Sequence, residues 1–441
     1  MPDFFMDPRI EITGHGEIKL EDDSTVNGEF VIRQYGTGIT QGELKVEDYA
    51  ACMKIRNLES FTITGTEEGG SQIIAEKCFI EKVDMGENNL VTFNPNKVIY
   101  DKENLESKPE EKILLQFALM NVHQTFRVTA ESELGTLYLN QFKGIEEAEE
   151  TIKTHNISAI TSSISIEVAS DYENLEELRK KGLDIVYDFL KITSLAQTTW
   201  HSIASFGIYK KKDESDGYSR VYFEILSPKT KSPRLFGITN QAHSSQFISN
   251  AWKGHSKEIE EDYGFTFALE WYIDSWSAFV LESKYLSATT CMELLIEKFH
   301  NKNNTEFILD ENKFSEFRES IREYAKDKLT KMEIEKPIRG AIYENFNEGL
   351  NRRAYRTKIE MLIDFWKIKY DDLGIELKDI IRIRNEIIHK GRYEDNDDLL
   401  RVFSGLVTII LRIFLAMLKY DGLYFDFVRQ DWIKFEEVRT S

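Results

Sequence analysis

A chain of 441 residues has room for two or three domains of about 150 residues each, and a hydrophobic content of 41% supports sizeable cores. A formal charge of −20 argues against a general nucleic-acid coat protein, whose surface must be basic. The acid is uneven: residues 1–150 carry 29 acidic against 14 basic side chains, whereas residues 376–441 carry 12 against 11.

The start of the chain, MPDFFMDPRI, has no basic stretch followed by an apolar one, so no secretory signal is expected. Residues 10–145 then read mostly as strands. IEITGHGEIKL alternates, GEFVIRQYG and GELKV follow, and further short alternating runs continue to TLYLNQF with turn residues between them. This spacing predicts a β-rich domain, sandwich-like and antiparallel or an irregular barrel. His15, Cys78 and His123 are scattered through it and read as ordinary surface or core residues. Cys52, Cys78 and Cys291 form no CxxC pair, so neither a zinc site nor a disulfide framework is expected. A reduced, cytoplasmic compartment is the simplest expectation, with no metal and no cofactor.

Residues 146–169 combine a short acidic helix with the strand-like run ISAITSSISIEV. Asn174–Ser205 has the apolar spacing of one long helix, and strands are expected again over Ser219–Leu226 and Pro233–Ile238. The polar stretch GHSKEIEED marks a boundary, dividing the chain into a β-rich domain over 1–255 and a helical bundle over 256–441. In the second part, FALEWYIDSWSAFVLESKYLSATTCMELLIEKFH reads as one long helix or two abutting ones. Phe314–Met332 is a charged amphipathic helix, and Lys358–Trp366 another short one. The whole is α+β, with an all-α C-terminal bundle of four or more helices. The longest mostly apolar run, Leu406–Leu418, is interrupted by Thr408 and Arg412. It is too short to span a bilayer and reads as a buried helix, so no membrane partner is expected.

The most informative stretch is Ile380–Arg392, IIRIRNEIIHKGR. Leu377, Ile380, Ile381, Ile387 and Ile388 recur at helical spacing, and position 384 lies on that line. A guanidinium there is costly unless paired or lining a polar cavity. Asn385 and His389, four residues apart, share a neighbouring face, and Gly391 supplies a helix stop. Arginine stays charged and forks onto phosphate oxygens. An imidazole can take or give a proton near neutral pH. The competing reading is a solvent-facing arginine and a histidine that complements the helix dipole.

The spacing R-N-x-x-x-H resembles the R-x4-6-H signature of HEPN-superfamily ribonucleases. The glycine stop, acidic turn and long closing helix over Leu399–Leu418 follow in the family's order. The β-rich front joined to such a bundle resembles the ApeA-type anti-phage proteins of bacteria. The resemblance implies a metal-independent endoribonuclease acting by 2′-OH transesterification on tRNA or mRNA, in abortive infection. Arg384 and His389 would act on the scissile phosphate, with Asn385 positioning the histidine or the phosphate. The family also implies a homodimer with two motifs facing one cleft, and a trigger, here phage-derived, sensed by the front domain. Glu293, on an early helix of the bundle, corresponds to an acidic residue that could orient Arg384. Arg352, Arg353, Arg356 and Lys358, with Tyr355 among them, make a basic and aromatic patch suited to RNA; Lys390 and Arg392 flank the motif. Each of these has a plainer reading as a solvated helix face. Five residues along a regular helix separate two side chains by roughly 140°, so either the helix ends at His389 or the site is shared. Two other functions compete: a non-catalytic HEPN dimerisation or binding scaffold, and a ligand-binding protein working through its front domain.

Overall fold

The computed structural model describes residues 8–19, 24–47, 49–67, 69–85, 89–101, 112–123, 127–142, 145, 152, 157–168, 174–211, 217–226, 237–239, 241–348 and 350–440. The chain divides into two compact units, Met1–Trp252 and Lys253–Ser441. That division falls three residues before the expected 255/256 boundary. Expectation and structure agree on α+β, with strands concentrated in the first unit and helices in the second.

The first unit is built on one antiparallel sheet. Its strands are β1 (Pro8–Lys19), β2 (Thr25–Tyr35), β3 (Thr40–Val46), β4 (Ser60–Thr66), β5 (Gln72–Asp84), β6 (Leu90–Asn94) and β7 (Lys97–Asp101). They are followed by β8 (Ile113–Met120), β9 (Val128–Ser132), β10 (Gly135–Gln141), β11 (Ile160–Glu167), β12 (Ser202–Lys211) and β13 (Tyr218–Leu226). Of the two expected arrangements, sandwich-like or irregular barrel, six strands take the barrel. The pairings β1–β2–β3–β6–β5–β4 return to β1, so six strands close into a barrel. The other seven continue from β5 as an open sheet in the order β7–β13–β12–β8–β11–β10–β9.

Pro95 explains the split. The strands β6 and β7 lie end to end along β5, with Asn94 opposite Phe79 and Lys97 opposite Glu76. Proline cannot donate to a ladder, and the pairing breaks there. Lys77 opposite adopts φ 47, and the Asn96 amide bonds to the Glu76 carbonyl. One half of the interrupted strand then pairs with β3 and joins the barrel; the other pairs with β13 and leaves it. Inside, Ile12, Ile18, Phe30, Ile32, Leu44, Phe61, Ile63 and Phe93 form the core. The crossing of β1 and β4 is too tight for side chains: a Cβ on Gly16 would lie 2.4 Å from the Gly65 Cα.

Among the described residues, the helices α1 (Tyr49–Arg56), α2 (Leu175–Gln197) and α3 (Gln241–Gly254) accompany the sheet. The helix expected over 174–205 is shorter than predicted. Asn174 caps its start by accepting from the Glu176 and Glu177 amides. Thr198 ends it in the left-handed conformation (φ 46), and Ser202–Lys211 is strand β12. The periodicity of 174–197 ran on into an apolar strand that alternation alone did not separate. The short acidic helix expected at the start of 146–169, and the strand over Pro233–Ile238 except its last two residues, lie outside the described residues.

The second unit contains α4 (Lys257–Tyr263), α5 (Phe265–Ser277), α6 (Leu281–Asn303), α7 (Glu311–Lys331), α8 (Lys336–Glu348), α9 (Tyr355–Phe365), α10 (Leu377–Lys390) and α11 (Asn396–Met417). The abutting-helix alternative is the observed one, with the break at Ala278–Val280. The unit is not all-α: β14 (Leu423–Asp426) and β15 (Asp431–Lys434) form a terminal hairpin. Asp395 caps α11 by accepting from the Asp397 and Asp398 amides.

Helix α11 is long and apolar enough to cross a membrane, but 83% of its apolar window is buried within the unit. It is the core helix against which α5, α6 and α10 pack. Arg412 sits in the middle of it, fully buried. Its guanidinium donates to Asp372 (2.8 and 2.7 Å), Asp426 (2.8 Å), the Tyr424 hydroxyl (2.9 Å) and the Lys369 carbonyl (2.6 Å). Asp426 is itself fully buried. Burial pushes the Asp372 carboxyl up, but hydrogen bonding and charge from Arg412, with the charge of Arg429, bring it below its ordinary value.

Arg412→Ala would strand the Asp426 carboxylate in the core, at a cost of about 3–5 kcal/mol by urea denaturation. Folded Asp372 keeps its charge to lower pH than the unfolded chain does. Its contribution is therefore complete above the ordinary carboxylate range, and is lost as pH falls below about 4 through the folded value. Asp372→Asn should flatten that acid limb of the stability profile.

Candidate active site

Helix α10 is closed at both ends. Glu376 and Asp379 form a reciprocal capping box, and Gly391 at φ 77 returns its amide to the Ile387 carbonyl. The buried line along it is Leu377, Ile380, Ile383 and Ile387. This corrects the phase read from sequence. Ile383, not position 384, faces the core; Ile381 is half-buried and Ile388 is 52% exposed.

Arg384 therefore lies at the margin of the packed face, its side chain 32% exposed. Its Nη2 is 2.7 Å from Oε1 of Glu293 on α6, whose side chain is 37% exposed. The Nη1 donates to Asn385 Oδ1 at 3.4 Å. An ion pair this open contributes on the order of 1 kcal/mol or less, but it sets the direction of the guanidinium. Tyr355, the first residue of α9, closes the group from the inside. Its hydroxyl is buried and has no hydrogen-bond partner. Burial first and then the Glu293 charge push the phenol up, while the Arg384 charge pulls it down. Tyr355 was expected to stand out among cations as a stacking ring; it turns inward instead.

His389 is exposed and has no hydrogen-bond partner among the described residues. The helix runs one residue past His389, to Lys390, with Gly391 as its cap, so His389 lies in helical geometry. Arg384 and His389 consequently point about 140° apart around one helix. Exposed Asn385 engages Arg384 rather than His389. Within one copy, the structure brings Arg384, Asn385, Glu293 and Tyr355 together and leaves His389 on another flank.

The flanking cations are mostly engaged locally. Arg353 donates to the Thr305 carbonyl (2.9 Å), Arg356 pairs with Glu360 (2.8 Å), and Lys358 lies 3.9 Å from Glu306. Lys390 pairs with Glu386 (2.8 Å), and Arg392 lies 3.9 Å from Glu394. Arg352 is exposed, and its side chain has no partner among the described residues. Among the described residues, Arg356 and Lys358 are therefore matched by carboxylates outside the segment, whereas Arg352 and Arg353 make no ion pair.

A network not foreseen from the sequence fixes the turn after the motif. Arg382 donates to the Tyr393 hydroxyl and to Asp398 (2.9 Å), Tyr393 donates to Asp398 (2.7 Å), and Arg401 pairs with Asp398 (2.7 Å). Hydrogen bonds from Arg382, Tyr393 and Arg401 hold the Asp398 carboxyl well below the usual range. The legible signal was the i,i+3 spacing of Asp379 with Arg382 and of Asp398 with Arg401.

His15 is exposed on β1, while Cys78 and His123 are buried. No known protein family matches the chain, no curated protein matches it, and no solved structure matches its fold.

Because the Tyr355 hydroxyl is buried and unpaired, Tyr355→Phe should leave stability unchanged or raise it by up to about 1 kcal/mol. A thermal-denaturation loss larger than that would mean the hydroxyl is bonded in solution.

Proposed function

We propose that this chain is a HEPN-type, metal-independent endoribonuclease that works as a homodimer. The observation that carries the reading is the exposed R-N-x-x-x-H helix. Its histidine has no hydrogen-bond partner among the described residues, and its arginine is aimed by Glu293. Ile388, half exposed one helical turn beyond Arg384, is an apolar contact that a second copy would cover. Pairing two α10 helices would let His389 of one face Arg384 of the other, which a single regular helix forbids.

In the proposed reaction one imidazole accepts the ribose 2′-OH proton as the 2′-oxygen bonds to phosphorus. The bond to the 5′-oxygen breaks, and that oxygen takes a proton from the second, protonated imidazole. The products are a 2′,3′-cyclic phosphate and a 5′-hydroxyl. Arg384 stabilises the charge that grows on the non-bridging oxygens. Nucleophile and proton transfers come from RNA and protein, so the scheme needs no metal. The resemblance to ApeA-type proteins supplies the setting: tRNA or mRNA cleavage in the cytoplasm during phage infection, released by a phage-derived trigger acting on the front domain.

One observation favours a second reading, a non-catalytic dimerising scaffold: Arg384 is already engaged by Glu293 as a structural pair. The two readings separate cleanly. His389→Ala and Arg384→Ala should each lower RNA cleavage by about 10²–10⁴-fold, read by sequencing fragment ends after infection, and wild-type cleavage should persist in EDTA. Mutants that cut as well as wild type remove the ribonuclease reading. A dimer that yields no fragments in infected cells supports the scaffold.

A further inference from the structure

The hairpin of α7 and α8 presents a groove unlike the rest of this acidic chain. It holds about 570 Å³ and is open; its exposed walls are mostly apolar, formed by the stems of Arg322, Lys326, Lys336 and Arg339 with Gly340 and the Tyr343 ring, so the cationic heads stand at its rim beside the single carboxylate Glu323. A volume of that order is within the range that holds small ligands, about 300–1,000 Å³. Arg318, Arg322 and Lys326 follow one another at i,i+4 along α7, so the cations form one row rather than a scatter. Lys336 and Arg339 lie in the first turn of α8, where the helix dipole also favours an anion.

These cations are not spent on carboxylates. Arg322, Lys326, Lys336 and Arg339 make no ion pair among the described residues; Arg339 donates only to the Thr330 hydroxyl, at 3.2 Å. The Nε atoms of Arg322 and Arg339 are buried and have no partner. Some other cations of this unit are neutralised by a nearby acid, as Lys331 is by Asp327 and Lys390 by Glu386. The hairpin is otherwise exposed: Phe314 is its one buried residue among those described on α7, and none is buried on α8. Four unpaired cations around an aromatic ring match a strand that offers successive phosphates outside and bases inside.

We infer that the groove between α7 and α8 binds single-stranded RNA, with Arg322, Lys326, Lys336 and Arg339 on phosphates and Tyr343 against a base. The choice of RNA as the polyanion rests on the ribonuclease reading above. The groove is built from residues outside the R-N-x-x-x-H helix and would recruit substrate rather than cleave it.

The test uses full-length His389→Ala protein, which does not consume its ligand, and a fluorescent oligouridylate followed by anisotropy. Four phosphate contacts predict a log–log salt slope of about −2.8, falling to about −1.4 when two are removed. Arg322→Gln with Arg339→Gln should weaken binding at least about tenfold at moderate salt. Lys326→Gln with Lys336→Gln, both exposed, should do the same with an unchanged melting curve. Unchanged affinity and slope in both pairs overturn the groove, and leave the ribonuclease reading intact if wild type still cleaves RNA. Lost binding in both pairs, with a wild type that never cleaves, keeps the groove and removes the ribonuclease. No binding of the strand, or equal displacement by ATP at matched phosphate concentration, overturns RNA as the occupant.

Discussion

The second unit is organised by a cation buried in its most apolar helix. Arg412 has five N–H donors, and the structure provides an acceptor for each: two on Asp372, one on Asp426, one on Tyr424 and one on the Lys369 carbonyl. Helix α11 alone could slide or rotate among aliphatic neighbours with little penalty, because Leu, Ile and Val contacts are not directional. A guanidinium whose five donors must all be met permits one register only. The turn at Asp371–Leu373 and the hairpin β14–β15 are thereby fixed against the same point on α11. Helix α10 leaves that turn within four residues and reaches α11 through the turn at Tyr393, where Arg382, Tyr393 and Asp398 close a second polar clasp. The motif helix is thus held at both ends by charge-assisted bonds and along its length by four aliphatic residues.

That fixity has a chemical consequence. Arg384 and His389 stand apart on one closed helix, which Gly391 caps just beyond Lys390. In the proposed dimer a second copy would combine them, and it would also provide the second imidazole of the proposed transesterification. Glu293 has a double effect in this setting. It offsets the cost of leaving a half-buried guanidinium at the edge of the core, and it holds that group in one rotamer before any phosphate arrives. A phosphate would have to compete with, or bridge to, a carboxylate already 2.7 Å away.

Much of this was legible in the sequence where local chemistry decides the outcome. Alternation located most of the described strands, the acidic turn before the closing helix and Gly391 marked helix ends, and the helical character of the second half followed from its periodicity. What escaped was set by contacts remote in sequence. Nothing in alternation distinguishes a sandwich from a barrel, since both bury every second residue; closure here depends on Pro95 dividing one strand between two neighbours. The phase of α10 was misjudged for a related reason. Ile380 and Ile387 are compatible with a stripe through either 383 or 384, and only packing chooses, in favour of Ile383. Arg412 read as an interruption of an apolar run because its partners Asp372 and Asp426 lie 40 and 14 residues away. Tyr355 drew attention as an aromatic among cations, whereas its hydroxyl is buried within the electrostatic reach of Glu293 and Arg384.

Net charge is a poor guide to what such a protein can hold. The formal −20 belongs mainly to the front of the chain, and residues 376–441 are nearly balanced. At physiological ionic strength exposed charges are screened beyond about 8 Å. A phosphate in the α7–α8 groove would therefore respond to the cations around it rather than to acids further away. The row Arg318, Arg322 and Lys326 runs beside Glu319, Glu323 and Asp327 on the same helix, so sequence totals over this segment cancel while its faces do not. Recognition of a polyanion by an acidic protein requires only that such a face be left unpaired, and in Arg322 and Arg339 the guanidinium Nε atoms are both buried and unpaired.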